Sequence, residues 1–313
     1  MPAKLTTRSP LAMDPPAKNE ERSPGAVGSG VEIVNGMSVD VEEYFQVSAF
    51  APTIRLDDCD QYESRVEYCV DRLLDLFAAH DARCTFFTLG WVAERHQAMI
   101  KRIVDGGHEM ASHGYNHRRA TDQTPDEFRA DIRKTKKILE DLSGTPITGY
   151  RAASFSFSEA NRWTHEILFE EGHSYSSSVY PVAHDHYGMP NAPRFPYDPL
   201  PGKEFTEFPL TTVQKLGRNI PCAGGGYFRL FPYGLSRWAM RQVNDFYQEP
   251  AVFYFHPWEI DPDQPRPEGS SLKTKFRHYV NLGKMEHKLS RLLSDFKWDR
   301  IDRVLQSANG VNV

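Results

Sequence analysis

Strand-like and helix-like segments alternate in this chain from residue 31 almost to its end, and that alternation limits the fold more than any other feature. Residues 31–39 (VEIVNGMSV) read as a first strand. Residues 65–80 read as a helix, because Val66, Val70, Leu73, Leu74 and Phe77 recur at spacings of three and four. A β-rich run over 84–89 follows, then a helical stretch over 92–105 closed by Gly106 and Gly107. Residues 108–112 read as a short strand. Thr124 can cap a helix, Pro125 suits its first turn and Glu127 completes a capping box. That helix runs to Leu142 and stops at Ser143 and Gly144. Further strands are expected at 147–150, 174–180, 205–213 and 251–255, and helices at 158–171, capped by Ser158, at 233–247 and at 282–296. Residues 251–255 (AVFYF) are apolar throughout, as in a strand buried on both faces. Residues 184–203 and 261–271 read as long loops. Repeated strand–helix units of about 30 residues imply a parallel sheet with helices outside. Seven or so units favour an α/β barrel over an open sheet.

At 313 residues the chain fits one such barrel domain with long loops. A net charge of -5 leaves no basic excess to displace counterions from phosphates, so a nucleic-acid partner is disfavoured. No run of 18 apolar residues is present, so no transmembrane helix is expected. Cys59, Cys69, Cys84 and Cys222 form no CxxC pair and read as reduced thiols. Residues 1–30 are rich in proline, glycine and charge and hold no continuous apolar run. They read as a disordered tail, dispensable for folding and activity, rather than a secretory signal. The expected division is a tail at 1–30 and a folded unit at 31–313, with 262–313 as a C-terminal extension. The cytoplasm is the expected compartment, and a homo-oligomer is left open.

Four segments place polar residues just after an expected strand, where the strand ends of a barrel converge on one face. In SVDVEEYF (38–45), Asp40, Glu42 and Glu43 crowd a strand end. Asp40 and Glu42 are two apart, so an extended chain points them to the same side. Such carboxylates repel unless a cation or proton lies between them; a solvated acidic turn is the plain alternative. In HGYNH (113–117), two histidines four apart can bind one metal from a single turn, although such pairs also arise by chance. Arg151, in GYRAASFS (149–156), can orient a carboxylate through a bidentate pair or make an ordinary surface ion pair. His256 follows the apolar strand and is held by Pro257 and Trp258, where an imidazole can serve as acid or base or simply pack. His184 and His186 form an HxH pair, a minor alternative for a metal.

Together, in this order, the four segments resemble the polysaccharide deacetylase family of carbohydrate esterases, the NodB-like homology domain, over roughly residues 31–261. The strings SVDVEEYF, SHGYNHR, GYRAASFS, GGGYFRLFPY and FHPWEID further resemble the subgroup linked to exopolysaccharide clusters of bacteria with the exosortase A/PEP-CTERM system. The resemblance implies a distorted (β/α) barrel of seven or eight strands that removes N-acetyl groups from amino sugars of a polymer or oligosaccharide. It implies Asp40 as catalytic base, His113 and His117 as metal ligands, Arg151 as the arginine that orients the base, and His256 as catalytic acid. Most relatives carry two adjacent aspartates in the first motif; here Val41 follows Asp40. The metal carboxylate is then Glu42, with Glu43 as runner-up. The third motif lacks the usual prolines after its arginine. Ser154 falls near the amide that stabilises the oxyanion in relatives, and Glu207 is expected to replace the aspartate that partners the arginine or the histidine. The implied cofactor is one divalent metal, Zn²⁺ first, with Co²⁺, Ni²⁺ or Mn²⁺ as alternatives. Phe45, Tyr115, Phe155, Tyr180, Tyr227, Phe228 and Trp258 are candidates for sugar stacking, with Tyr115 and Trp258 foremost. Two rival readings remain: a metal-independent hydrolase of cyclic amides on the same scaffold, and a catalytically silent subunit of polysaccharide assembly.

Overall fold

The computed structural model describes residues 32–308 except 49, 51–52, 184–187 and 268–270. The tail reading for 1–30 and the His184/His186 pair therefore lie outside the described residues. The strands are β1 (Val34–Val41), β2 (Thr85–Thr88), β3 (Glu109–Ser112), β4 (Gly149–Tyr150), β5 (Tyr175–Ser176), β6 (Thr206–Glu207), β7 (Thr212–Lys215), β8 (Arg218–Pro221), β9 (Val252–Phe255) and β10 (Lys297–Asp299). The helices are α1 (Val66–Ala79), α2 (Gly90–Arg95), α3 (Gln97–Asp105), α4 (Pro125–Ser143), α5 (Trp163–Glu170), α6 (Gly225–Leu230), α7 (Tyr233–Arg241), α8 (Leu272–Tyr279), α9 (Met285–Asp295) and α10 (Ile301–Ala308).

Eight strands form one parallel sheet in the order β10-β1-β2-β3-β4-β5-β6, with β9 also paired to β1. Within the described residues β6 does not pair with β9, so the sheet curls into a half-barrel and stays open. β7 and β8 make a separate antiparallel hairpin. Period-two alternation sorts the side chains. Val39 and Val41 of β1, Phe86 of β2, and Phe253 and Phe255 of β9 join α1, α3 and α9 in the largest core cluster. Their neighbours Phe87, Val252 and Tyr254 face the other way, into a second cluster. Ser38 and Asp40 alternate with Val39 and Val41, so they too face inward. This is how β1 delivers a carboxylate into the half-barrel.

Several boundaries differ from expectation, each for a local reason. The helix expected over 92–105 breaks at His96 (φ -125, ψ 50) into α2 and α3. His96 bonds Glu67 of α1 at 3.1 Å, and Arg102 of α3 bonds Glu67 and Asp71, so packing on α1 redirects the chain. The strand expected over 205–213 stops at Glu207, because Pro209 has no N–H for a ladder, and resumes as β7. The helix expected over 233–247 ends as α7 and passes into a π-helical turn at Gln242–Phe246. Residues 158–171 open with a 3₁₀ turn before α5. The α4 start is as expected: Glu127 N–H donates to Thr124 Oγ1 at 3.3 Å and Thr124 N–H to Glu127 Oε2 at 2.8 Å. Gly144 ends α4 at φ 68, a conformation that costs glycine little.

The expected C-terminal extension is part of the sheet. β10 pairs with Val34, Asn35 and Gly36 of β1, and the first amide of α10 donates to Thr85 Oγ1 at 2.8 Å. All four cysteines are free thiols. Among the described residues, no helix is long and apolar enough to cross a membrane.

Candidate active site

The C-terminal ends of β1, β3, β4 and β9 bring Asp40, Glu42, His113, Arg151 and His256 to one place, and the loop after β3 adds His117. The chain tightens directly after β1, where Glu42 N–H donates to the Asp40 carbonyl at 3.1 Å. Arg151 reaches across the half-barrel and donates from Nη1 to Asp40 Oδ1 and to Ser38 Oγ, both at 2.7 Å. Its remaining donors go to Ser177, Nε to the carbonyl at 3.0 Å and Nη2 to Oγ at 2.8 Å. The guanidinium lies over the Phe87 ring at 4.1 Å and is wholly buried, so it orients Asp40 rather than making a surface ion pair.

The loop 113–117 is pinned from outside. Gly90 and Trp91 at the start of α2 donate to the carbonyls of Gly114 and Tyr115, and Asp131 of α4 accepts the Tyr115 N–H at 3.1 Å. His117 adopts a left-handed φ of 60 to turn its ring inward. One ligand atom each from Glu42, His113 and His117 lies within 4.8 Å of the others, a spread suited to three ligands of one ion.

The chemistry of the three donors fits a divalent metal. His113 Nδ1 donates to the Arg151 carbonyl at 2.8 Å, leaving Nε2 as the free lone pair. Burial pushes the His113 imidazole down to about 4, against the pull of Asp40, so it is neutral and competent to ligate near pH 7. Burial would raise the Glu42 carboxyl, but the imidazoles of His117, His256 and His113 outweigh it and hold the group at about 2. His117 Nε2 lies 3.0 Å from Glu42 Oε2. Apart from that imidazole, Oε2 is buried with no hydrogen-bond partner among the described residues, as suits a ligand atom.

Glu43 is elsewhere. Its carboxylate accepts from Ser64 Oγ and from the Arg65 N–H at 3.0 Å, capping α1 from the neighbouring loop, and burial raises its pKa. Glu43→Ala should therefore retain the metal while losing about 1 kcal/mol of stability, the usual worth of a helix cap. Metal content and a thermal melt check both halves.

His256 caps the turn Pro257–Ile260. Glu259 Oε1 accepts its Nδ1–H at 2.9 Å and its backbone N–H at 3.0 Å. Nε2 faces Glu42 Oε1 at 3.5 Å. Burial lowers the imidazole, but the Glu259 hydrogen bond and the nearby carboxylates raise it overall to about 9. Arg229 in turn holds Glu259 at 2.7 Å. Neither Glu259 nor Arg229 was singled out in the sequence. The signal was present: Glu259 stands three residues after a cap followed by proline, the spacing of a capping box.

Glu207 is not that partner. It is fully buried, accepts from the amides of Ser178 and Val179, and pairs with His165 at 3.1 Å, out of reach of substrate. Tyr115 also points elsewhere. Its hydroxyl donates to Glu94 of α2 at 2.8 Å and Lys134 of α4 covers its ring. Trp258 is 5% exposed, stacked between His256 and His278, and forms a wall. Tyr180 and Phe228 are core residues at 0% exposure. Ser154 is half-buried beside the site, and it and Phe155 both take left-handed φ values, 53 and 50. Non-glycine strain of that kind concentrates at functional sites. A cavity of about 980 Å³ lies at the opposite end of the sheet, around His108, Glu109 and Asp302, and holds none of these groups.

Residues 53–167 match the family model for polysaccharide deacetylase. Over this stretch the chain matches a polysaccharide deacetylase domain. The matched stretch contains His113, His117 and Arg151. Residues 177–306, with His256, Glu259 and Arg229, match a domain of unknown function, DUF3473. A peptidoglycan deacetylase of Helicobacter pylori is 34% identical over 113 residues, 36% of this chain and 38% of that protein. A peptidoglycan-N-acetylglucosamine deacetylase of Bacillus cereus is 38% identical over 73 residues, 23% of this chain and 26% of that protein. A chitooligosaccharide deacetylase of Rhizobium leguminosarum is 25% identical over 114 residues, 36% of this chain and 48% of that protein. The chain thus spans less than half the length of each. A crystal structure from Mycobacterium smegmatis, named as a candidate polysaccharide deacetylase, superposes with a TM-score of 0.59 at 17% identity, covering 92% of this chain and 94% of that one. That likeness shows the deacetylase-type fold, a curled parallel sheet with helices outside.

Proposed function

We propose that this deacetylase domain is a metal-dependent hydrolase that removes N-acetyl groups from an amino sugar of a bacterial polysaccharide or its precursor. The observation that carries the reading is a three-ligand cluster, Glu42, His113 and His117, set between Asp40 and His256 at the strand ends of one sheet. The deacetylase domain match and the named activities of the partial relatives support the substrate class. The resemblance of several strings to the exosortase A/PEP-CTERM subgroup favours, within that class, an exopolysaccharide.

A divalent metal, Zn²⁺ foremost, held by these three residues would lower the pKa of water from about 16 toward about 7 and polarise the acetamide carbonyl. The chain's own groups do the rest. Asp40, fixed by Arg151, takes a proton from the attacking water. The water oxygen bonds to the carbonyl carbon, and the growing charge on the carbonyl oxygen is met by a backbone N–H near Ser154. An amine leaves poorly unless protonated, so His256 gives its proton to the nitrogen as the C–N bond breaks. Acetate and a free amino sugar result.

The test uses purified protein supplied with Zn²⁺, Co²⁺, Ni²⁺ or Mn²⁺ and N-acetylglucosamine oligomers. Acetate should be released, a chelator should stop it, and added metal should restore it. Release that ignores chelation would overturn metal dependence. Bound metal with no acetate from any N-acetylated glycan would favour a silent assembly subunit.

A further inference from the structure

Glu259 is gripped on both oxygens. Oε1 accepts both His256 donors, and Oε2 accepts the Arg229 Nε–H at 2.7 Å. Arg229 is 2% exposed and Glu259 1%, so water does not loosen the pair. The other guanidinium donors go to a distant stretch of chain. Nη1 donates to the carbonyls of His278 and Val280, each at 2.8 Å, and Nη2 to that of Arg277 at 3.2 Å. The Arg229 carbonyl accepts from Asn281 Nδ2 at 3.0 Å. Gly225, one turn earlier on α6, leaves the room this needs: a Cβ there would meet Glu259 Oε1 at 2.2 Å. The Trp258 ring lies nearly parallel to both His256 and His278, at 5.1 and 4.1 Å between centroids. The end of α8 therefore bears on His256 by two routes, one ionic and one stacked.

A buried arginine–carboxylate pair is weak evidence of stability, because desolvation offsets its attraction. A rigid fork of donors does supply orientation. We infer that Arg229 is a positioning residue, which locks Glu259 against His256 and ties the end of α8 to the direction in which that imidazole points. This rests on the deacetylase reading for the use made of His256, while the geometry of the lock stands apart from it. Lysine is no substitute, since one compact ammonium cannot serve Glu259 and three carbonyls from a fixed plane.

The first test reads the lock without turnover. In proton NMR of the full chain, the His256 Nδ1–H bonded to a carboxylate should give a low-field signal, assigned by its loss in His256→Ala. It should vanish or move in Arg229→Gln and in Gly225→Ala, with a cooperative melt retained. An unmoved signal in both overturns the inference. Should Arg229→Gln fail to fold, Arg229→Lys and Gly225→Ala carry the same readout. The second test is the leaving-group contrast. Arg229→Lys should slow deacetylation of an N-acetyl amide at least about tenfold, yet leave release of acetate from an activated aryl ester within about twofold, because only the amine needs the proton. A parallel fall on both substrates marks a merely structural role. If the unaltered protein releases no acetate from any N-acetylated sugar, the deacetylase reading falls and the NMR result alone decides the positioning.

Discussion

Alanine at His113 is expected to empty the metal site. His113 is 2% exposed, its Nδ1–H is committed to the Arg151 carbonyl, and burial keeps it neutral, so its free Nε2 is aimed at Glu42 and His117. Losing even an outer partner of a metal ligand costs about 10- to 100-fold in affinity. Losing one of three protein ligands should cost more. After removal of free metal, the unaltered protein should hold about one equivalent and His113→Ala close to none, with activity lost in step. His117→Ala and Glu42→Gln should do the same. Alanine also leaves the Arg151 carbonyl without its donor, so a melt must show that the variant is folded; His113→Gln retains a donor and serves as the second variant. A folded His113→Ala protein that keeps a full equivalent would overturn the ligand set. Metal lost in Glu43→Ala but kept in Glu42→Gln would transfer the carboxylate role to Glu43.

The second large effect is the division between Asp40 and His256. Asp40→Asn keeps size and removes basicity; His256→Ala removes the proton donor. Each should cut turnover on the amide at least about 100-fold, within the 10² to 10⁴ typical of general acid–base groups, and neither should empty the metal site. The losses should add only in part, since both groups serve one transition state. On an activated ester, Asp40→Asn should still be damaging and His256→Ala far less so. The pH profile carries a sign. A His256 pKa raised to about 9 means that the acid-competent form is present below that pH and is lost as pH rises through it. The alkaline limb of kcat/KM should therefore lie above the ordinary imidazole value of about 6.5. A cation on Glu42 would cancel that carboxylate's share of the shift, leaving Glu259 as the main support, so Glu259→Gln should move the limb to lower pH. An unmoved limb, or equal damage by His256→Ala on ester and amide, would return His256 to a structural role.

Local physics made much of this protein legible in its sequence. The period of three to four in α1, the capping box at Thr124 and Glu127, and the apolar run of β9 each depend on residues a few positions apart. Period-two alternation in β1 already set Asp40 and Ser38 apart from Val39 and Val41. The spacing of HGYNH offered two imidazoles to one centre. What depended on contacts distant in sequence was decided by tertiary structure. Glu42 and Glu43 are adjacent and chemically alike. Only the approach of Ser64 and Arg65 to one, and of His117 to the other, makes a cap of Glu43 and a candidate ligand of Glu42. Glu207 was the carboxylate expected to partner the arginine or the histidine, but folding buried it beside His165 and gave His256 a partner not singled out in the sequence, Glu259 held by Arg229. The return of β10 to β1 likewise joins residues more than 250 positions apart. Sequence periodicity reports which face of an element is apolar; which elements meet, and so which charges find each other, depends on packing that no local pattern encodes.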